Sequence, residues 1–179
     1  LPVELEGALQ SLYSNYEKKF QQWEENKEAR ERGLTPPVFI VVCNNTNVSK
    51  MVFDYVAGWE KDLTLSFGHP SPERRGEQTV LVPGKLSLFS NVESGRWLPR
   101  PNTILIDSQQ LESGEGMSAD FKKMAAMEIE EFKEEYRQRF PGRDAEALAD
   151  EDILREVMNT VGKAGKLGES IRCVKIGRA

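Results

Sequence analysis

Leu5, Leu9, Leu12, Tyr16, Phe20 and Trp23 are spaced by gaps of 4, 3, 4, 4 and 3, the rhythm of one face of an α-helix. The spacing predicts a long amphipathic helix within residues 1–35, fraying in the charged run Glu24–Arg32 and stopping at Gly33. Pro36 and Pro37 break that helix, and Val38-Phe39-Ile40-Val41-Val42-Cys43 is then apolar at every position. A β-branched run without alternation reads as a strand buried on both faces, as in a parallel sheet. Asn44-Asn45-Thr46-Asn47 follows as a polar turn with several N-cap candidates, and Val48, Val52, Tyr55 and Val56 mark a helix ending at Gly58. Strand, polar loop and helix in this order predict an open α/β sheet, a fold that binds ligands beyond the carboxyl ends of its strands.

The pattern changes between Lys61 and Pro101. Gly68, His69, Pro70, Ser71 and Pro72 read as loop, and Thr79–Val82 and Lys85–Phe89 flank Pro83-Gly84, a pair suited to a type II turn. This predicts a small β-hairpin inserted into the α/β pattern at about residues 61–101. Asn102–Ser108 is a second buried strand. Ser118 is a candidate N-cap for a helix bearing Phe121, Ala125, Ile129, Phe132 and Tyr136. Asp150 is expected to cap a shorter helix through Ile153, Val157 and Val161, closed by Gly162. Ile171–Val174 is expected to be a third strand. Residues 36–179 therefore form one α/β unit behind the leading helix.

Composition narrows the function. Hydrophobic residues make up 39% and charged residues 30%, with a mean hydropathy of −0.54. No stretch approaches the ~20 apolar residues of a membrane span, and the acidic start LPVELEGALQ lacks the basic, apolar layout of a signal peptide. The expected setting is cytoplasmic. Two cysteines, Cys43 and Cys173, and one histidine, His69, are too few for a disulfide framework or an imidazole metal site. The net charge of −5 is uneven: residues 111–152 carry −7 and residues 153–179 carry +4. An acidic chain is a poor free-standing nucleic-acid binder, but its basic C-terminal segment is suited to local phosphate contacts.

Three motifs are decoys. Gly162-Lys163-Ala164-Gly165-Lys166-Leu167-Gly168 looks like a phosphate loop, yet Leu167 stands where Ser or Thr is required and a helix precedes it. Asp120-Phe121-Lys122 and Glu131-Phe132-Lys133 mimic a nuclease acid-x-Lys pair. Both sit in helical register, which points acid and base apart. Asn44-Asn45-Thr46 and Asn47-Val48-Ser49 match the glycosylation sequon by chance, and Cys43 is expected to pack as a small hydrophobe.

Pro36 to Thr46, continuing through Ser49-Lys50 to Ala57-Gly58, resembles the start of the second RecA-like domain in Res subunits of type III restriction enzymes. Leu154–Lys163, Gly165–Glu169 and Ile171–Val174 resemble the stretch before helicase motif V in the same group, and Ile104–Ser108 with Gln110-Leu111-Glu112 also fits. The likeness runs from about Leu5 to Val174. It implies a DEAD/DEAH-box, superfamily 2 DNA helicase or translocase that hydrolyses ATP, with Mg2+, between two RecA-like domains and works beside a modification subunit. The chain lacks the Walker A loop and Asp-Glu-x-His box of the first RecA-like domain. Lys175 stands where the family's strand stays apolar. The chain is therefore expected to be a fragment holding the first half of the second domain, with a partial RecA-like sheet of about three parallel strands.

On that resemblance, Asn44, Asn45, Thr46, Ser49 and Lys50 face a nucleic-acid backbone, helped by the free N–H groups at the start of the following helix. Lys163 and Lys166 are candidates for further phosphate contacts. No catalytic residue, metal ligand or cofactor is assigned to the chain alone, and its DNA and domain partners belong to the parent enzyme. The alternative is a stand-alone interaction or regulatory module that docks a partner helix, or a second copy, on the Leu5–Trp23 stripe. Homodimerisation fits the exposed sheet edge of a partial fold.

Overall fold

The structure is a computed structural model and describes residues 1–62, 79–106 and 126–177. The proposed loop around His69, Asp107 and Ser108 of the second strand, Gln110–Glu112 of the resemblance, the N-cap Ser118 with Phe121 and Ala125, and the Asp120–Lys122 decoy lie outside those residues.

Helix α1 spans Val3–Glu25 and α2 spans Lys27–Glu31. Asn26 separates them, its side chain accepting from the Ala29 N–H at 3.0 Å. Gly33, at φ +69°, turns the chain out of α2. Strand β1 (Phe39–Cys43) leads to helix α3 (Thr46–Ala57), and the hairpin β2 (Gly58–Asp62) with β3 (Thr79–Pro83) follows. A short 3-10 turn, Ser87–Phe89, precedes the small hairpin β4 (Val92–Glu93) and β5 (Arg96–Trp97). Strand β6 (Thr103–Ile106), helix α4 (Ala126–Arg139), helix α5 (Asp150–Thr160) and strand β7 (Cys173–Gly177) complete the chain.

The fold is α/β, as the pattern predicts. Its sheet is three-stranded and parallel, in the order β1-β7-β6. The face bearing Phe39, Val41, Cys43 and Cys173 packs against α1 and α3. The face bearing Ile104, Ile106 and Val174 packs against α4 and α5 through Ile129, Ile153 and Val157. The two cores differ in character. The first is aromatic, with the Phe89 ring 4.5 Å from Tyr16, 5.2 Å from Tyr13 and 5.2 Å from Phe39. The second is aliphatic.

Helix α1 turns most of its stripe into the chain. Leu9, Tyr13, Tyr16 and Phe20 are buried in the aromatic core. The Tyr16 hydroxyl donates to the Pro37 carbonyl and Trp23 Nε1 donates to the Leu34 carbonyl, both at 2.8 Å. Leu12, expected on the stripe, is 54% exposed, and Tyr13 takes its place in the core.

The insertion is arranged differently from its expected form. Thr79–Pro83 pairs with Gly58–Asp62, not with Lys85–Phe89. Gly84 does not carry the positive φ that a type II turn needs. It is required there by contact: an added Cβ would lie 2.0 Å from the Val56 carbonyl oxygen. Residues 85–89 instead carry Leu86 and Phe89 into the aromatic core, both fully buried. A buried polar knot fixes this segment to β6. Asn91 donates to the Thr103 carbonyl and accepts from the Asn102 and Thr103 N–H groups at 2.8–2.9 Å. Ser94 and Gly95, both at positive φ, make the two-residue turn between β4 and β5.

Two smaller expectations shift. The N-cap of α5 is Ala149, whose N–H donates to Asp152 at 3.1 Å, so Asp150 is the first helical residue. The third strand begins two residues later than expected and runs through Lys175.

Candidate nucleic-acid interface

Asn44 and Asn45 lie just past the carboxyl end of β1, where the chain turns into α3. Asn45 is the N-cap: its side-chain oxygen accepts from the N–H of Asn47 at 2.8 Å and of Val48 at 3.3 Å. That bond consumes two of the free donors that make a helix start attractive to phosphate. Asn44 is exposed, and Thr46 opens the helix. Lys50 is exposed one turn on and pairs with Asp54 at 3.5 Å.

Ser49 is not available to a ligand. It is 2% exposed and accepts a hydrogen bond from Lys175 Nζ at 2.5 Å. Lys175, 1% exposed, occupies the middle of the central strand and points toward α3. Among the described residues it has no acidic partner. The sequence marks Lys175 as out of place in an apolar strand, but not that Ser49 meets it.

Lys163 and Lys166 stand elsewhere. Their loop leads into the amino end of β7, and Leu34, ahead of β1, bridges to Lys163. Asn44–Lys50 lies at the carboxyl end. The length of a five-residue strand, roughly 16 Å, separates the two groups, so the seven candidates do not form one surface. Lys166 is also engaged: it pairs with Glu135, which raises its pKa and holds the Glu135 carboxyl below the usual range. The exposed Lys163 side chain has no partner among the described residues. In the acid-x-Lys decoy, Lys133 bonds Glu146 and Glu130, which raise its pKa, while Phe132 packs against the aliphatic core.

A cleft of about 900 Å³ opens near the amino end of the sheet among Leu88, Val92, Arg100, Asn102 and Arg172. Arg172 lies 4.9 Å from the Phe20 ring, and Arg100 pairs with Glu128. Nothing in the hydrophobic pattern marks this cleft, because its lining comes from the insertion and from loops ahead of the strands. Among the described residues no cluster of His, Cys, Asp and Glu could hold a metal ion, and no helix is long and apolar enough to cross a membrane.

Comparison with protein-family models, with curated proteins and with solved structures gives no match.

Proposed function

We propose that the chain contributes nucleic-acid-backbone contacts to an ATP-dependent DNA helicase or translocase of the type III restriction class, and is not catalytically competent alone. The observation that supports this reading is the carboxyl-end loop, where Asn44 and Lys50 stand exposed at the start of a 12-residue helix behind a parallel strand. Short donors, one cation and a helix dipole at that place suit a phosphate without reading sequence. DNA, the first RecA-like domain, the remainder of the Res subunit and the modification subunit are the partners. ATP and Mg2+ act in the parent enzyme, between its two domains.

The test is fluorescence anisotropy of labelled single-stranded and duplex DNA over a salt series. Binding is expected to be weak, indifferent to sequence and lost as salt rises. Lys50→Glu is expected to weaken it several-fold, while Lys163→Glu, at the far end of the sheet, leaves it unchanged. Equal binding by the parent chain and Lys50→Glu would overturn the assignment, and so would ATP turnover by the pure chain.

A further inference from the structure

Strand β1 is an outer strand of the parallel sheet. Its register with β7, and the Phe39 N–H bond to the Arg172 carbonyl at 2.8 Å, turn the backbone groups of Phe39, Val41 and Cys43 inward. The N–H and C=O groups of Ile40 and Val42 therefore point out of the sheet. Their side chains lie on the face packed by α4 and α5, yet Ile40 is 61% and Val42 67% exposed. Among the described residues nothing pairs with this edge, and an outer strand with open backbone groups and bare β-branched side chains is a template for another strand.

We propose that this edge pairs with the same edge of a second copy, antiparallel across a two-fold axis, joining two three-stranded sheets into one. Self-pairing fits because Phe39–Cys43 carries no charge. Outer strands are commonly guarded by lysine or by inward-pointing charges, and a copy of this strand meets neither. The register follows from the outward groups. Setting Val41 opposite Val41 of the second copy places Ile40 opposite Val42 of that copy. Each such pair then exchanges both of its hydrogen bonds, and the exposed side chains meet on a common face. A two-fold interface of this kind is self-complementary and closes at the dimer. The inference is independent of DNA binding, since Asn44–Lys50 lies beyond the strand.

Sedimentation equilibrium across a concentration series tests it. The mass is expected to rise from 20.3 kDa to twice that value as concentration increases. Val42→Lys is expected to hold the mass at the monomer value where the parent chain is dimeric, with an unchanged circular dichroism spectrum. Met51→Lys, on the exposed surface of α3, adds the same charge away from the edge and is expected to dimerise like the parent. The register has its own test in a Cys43→Ser background. Ile40→Cys mixed with Val42→Cys is expected to form a disulfide-linked dimer under mild oxidation at least tenfold faster than either variant alone. A parent chain monomeric at every concentration, or a dimer that survives Val42→Lys, would overturn the proposal. Cross-linking of Ile40→Cys alone as fast as the mixture would overturn the register.

Discussion

On the central strand β7, Lys175 keeps 1% of its surface exposed, while on β1, its direct neighbour, Val42 keeps 67%. Lys175 stands opposite Val41 and Val42 opposite Ile176, so the buried amine and the bare valine lie on adjacent strands but on opposite faces of the sheet. The difference teaches that place in the sheet outweighs residue type. β7 has a strand on each side and helices over both faces, so all of its residues but the half-buried Ile176 are enclosed. Among the described residues β1 has a neighbour on one side only, and Ile40 and Val42 stay exposed on the α5 face. The same strand packs its other face into the aromatic core, where Phe39 stacks on Phe89 and meets Tyr16 edge to face. The contrast is therefore between enclosed and open positions, and each can be probed separately.

The largest effect is expected at Phe89. It is fully buried and touches rings from α1 and β1. Phe89→Ala should cost about 3–5 kcal/mol of unfolding free energy in urea. A loss under about 1 kcal/mol would mean that the 85–89 segment peels from the sheet and that the inward face of β1 is not enclosed.

The next effect belongs to the buried amine. A buried polar group held by one hydroxyl is a poor bargain against an apolar side chain of similar size. Lys175→Leu is expected to stabilise the fold by about 1–4 kcal/mol. Ser49→Ala in the parent chain removes the amine's partner and should destabilise by about 1.5–3 kcal/mol. In the Lys175→Leu background Ser49→Ala should be nearly neutral. Equal costs in the two backgrounds would show that the bond between these side chains contributes nothing.

Alkaline pH probes the same enclosure through Cys173. Burial pushes its thiol up to about 12, against an ordinary value near 9.0. Above about pH 9 the unfolded chain releases this proton and the folded chain keeps it, so the folded state binds more protons and stability falls as pH rises. The slope is about 1.4 kcal/mol per pH unit for one such group. Tyr16 is also raised by burial and adds a slope of the same sign at higher pH. Cys173→Ala should flatten the lower part of the alkaline decline. An unchanged slope would mean that the thiol is open to solvent.

Much of this architecture was legible in the sequence, because helices and central strands announce themselves by period. Helix α1, the parallel strand ending at Cys43 and the Asn45 cap appear where the pattern puts them, but Leu12 of the stripe is exposed, and β1, read as buried on both faces, is an outer strand that leaves Ile40 and Val42 exposed. The parts that escaped depend on contacts between distant residues. Gly84 reads as a turn glycine, but it is needed where the chain passes against the end of α3. Leu86 and Phe89 read as strand, but they plug the core from a 3-10 turn, because tertiary burial overrides local alternation. The split of the candidate site follows from chain order: in a parallel sheet Asn44–Lys50, after β1, lies at the carboxyl end, and Lys163–Lys166, before β7, lies toward the amino end.

The smallest effect is expected at the open position, and it decides whether the contrast is complete. Val42→Thr keeps the branched β-carbon and alters a side chain that is two-thirds exposed. In dilute solution, where the chain is monomeric, it should change stability by no more than about 0.5 kcal/mol. At high concentration the outcome differs if the edge pairs with itself. Association stabilises the folded state by mass action, so the parent chain should gain stability with concentration and Val42→Thr should gain less. A cost above about 1 kcal/mol in dilute solution would show that Val42 is already covered within one chain. Parallel concentration dependence in both proteins would show that the strand edge is not where two copies meet.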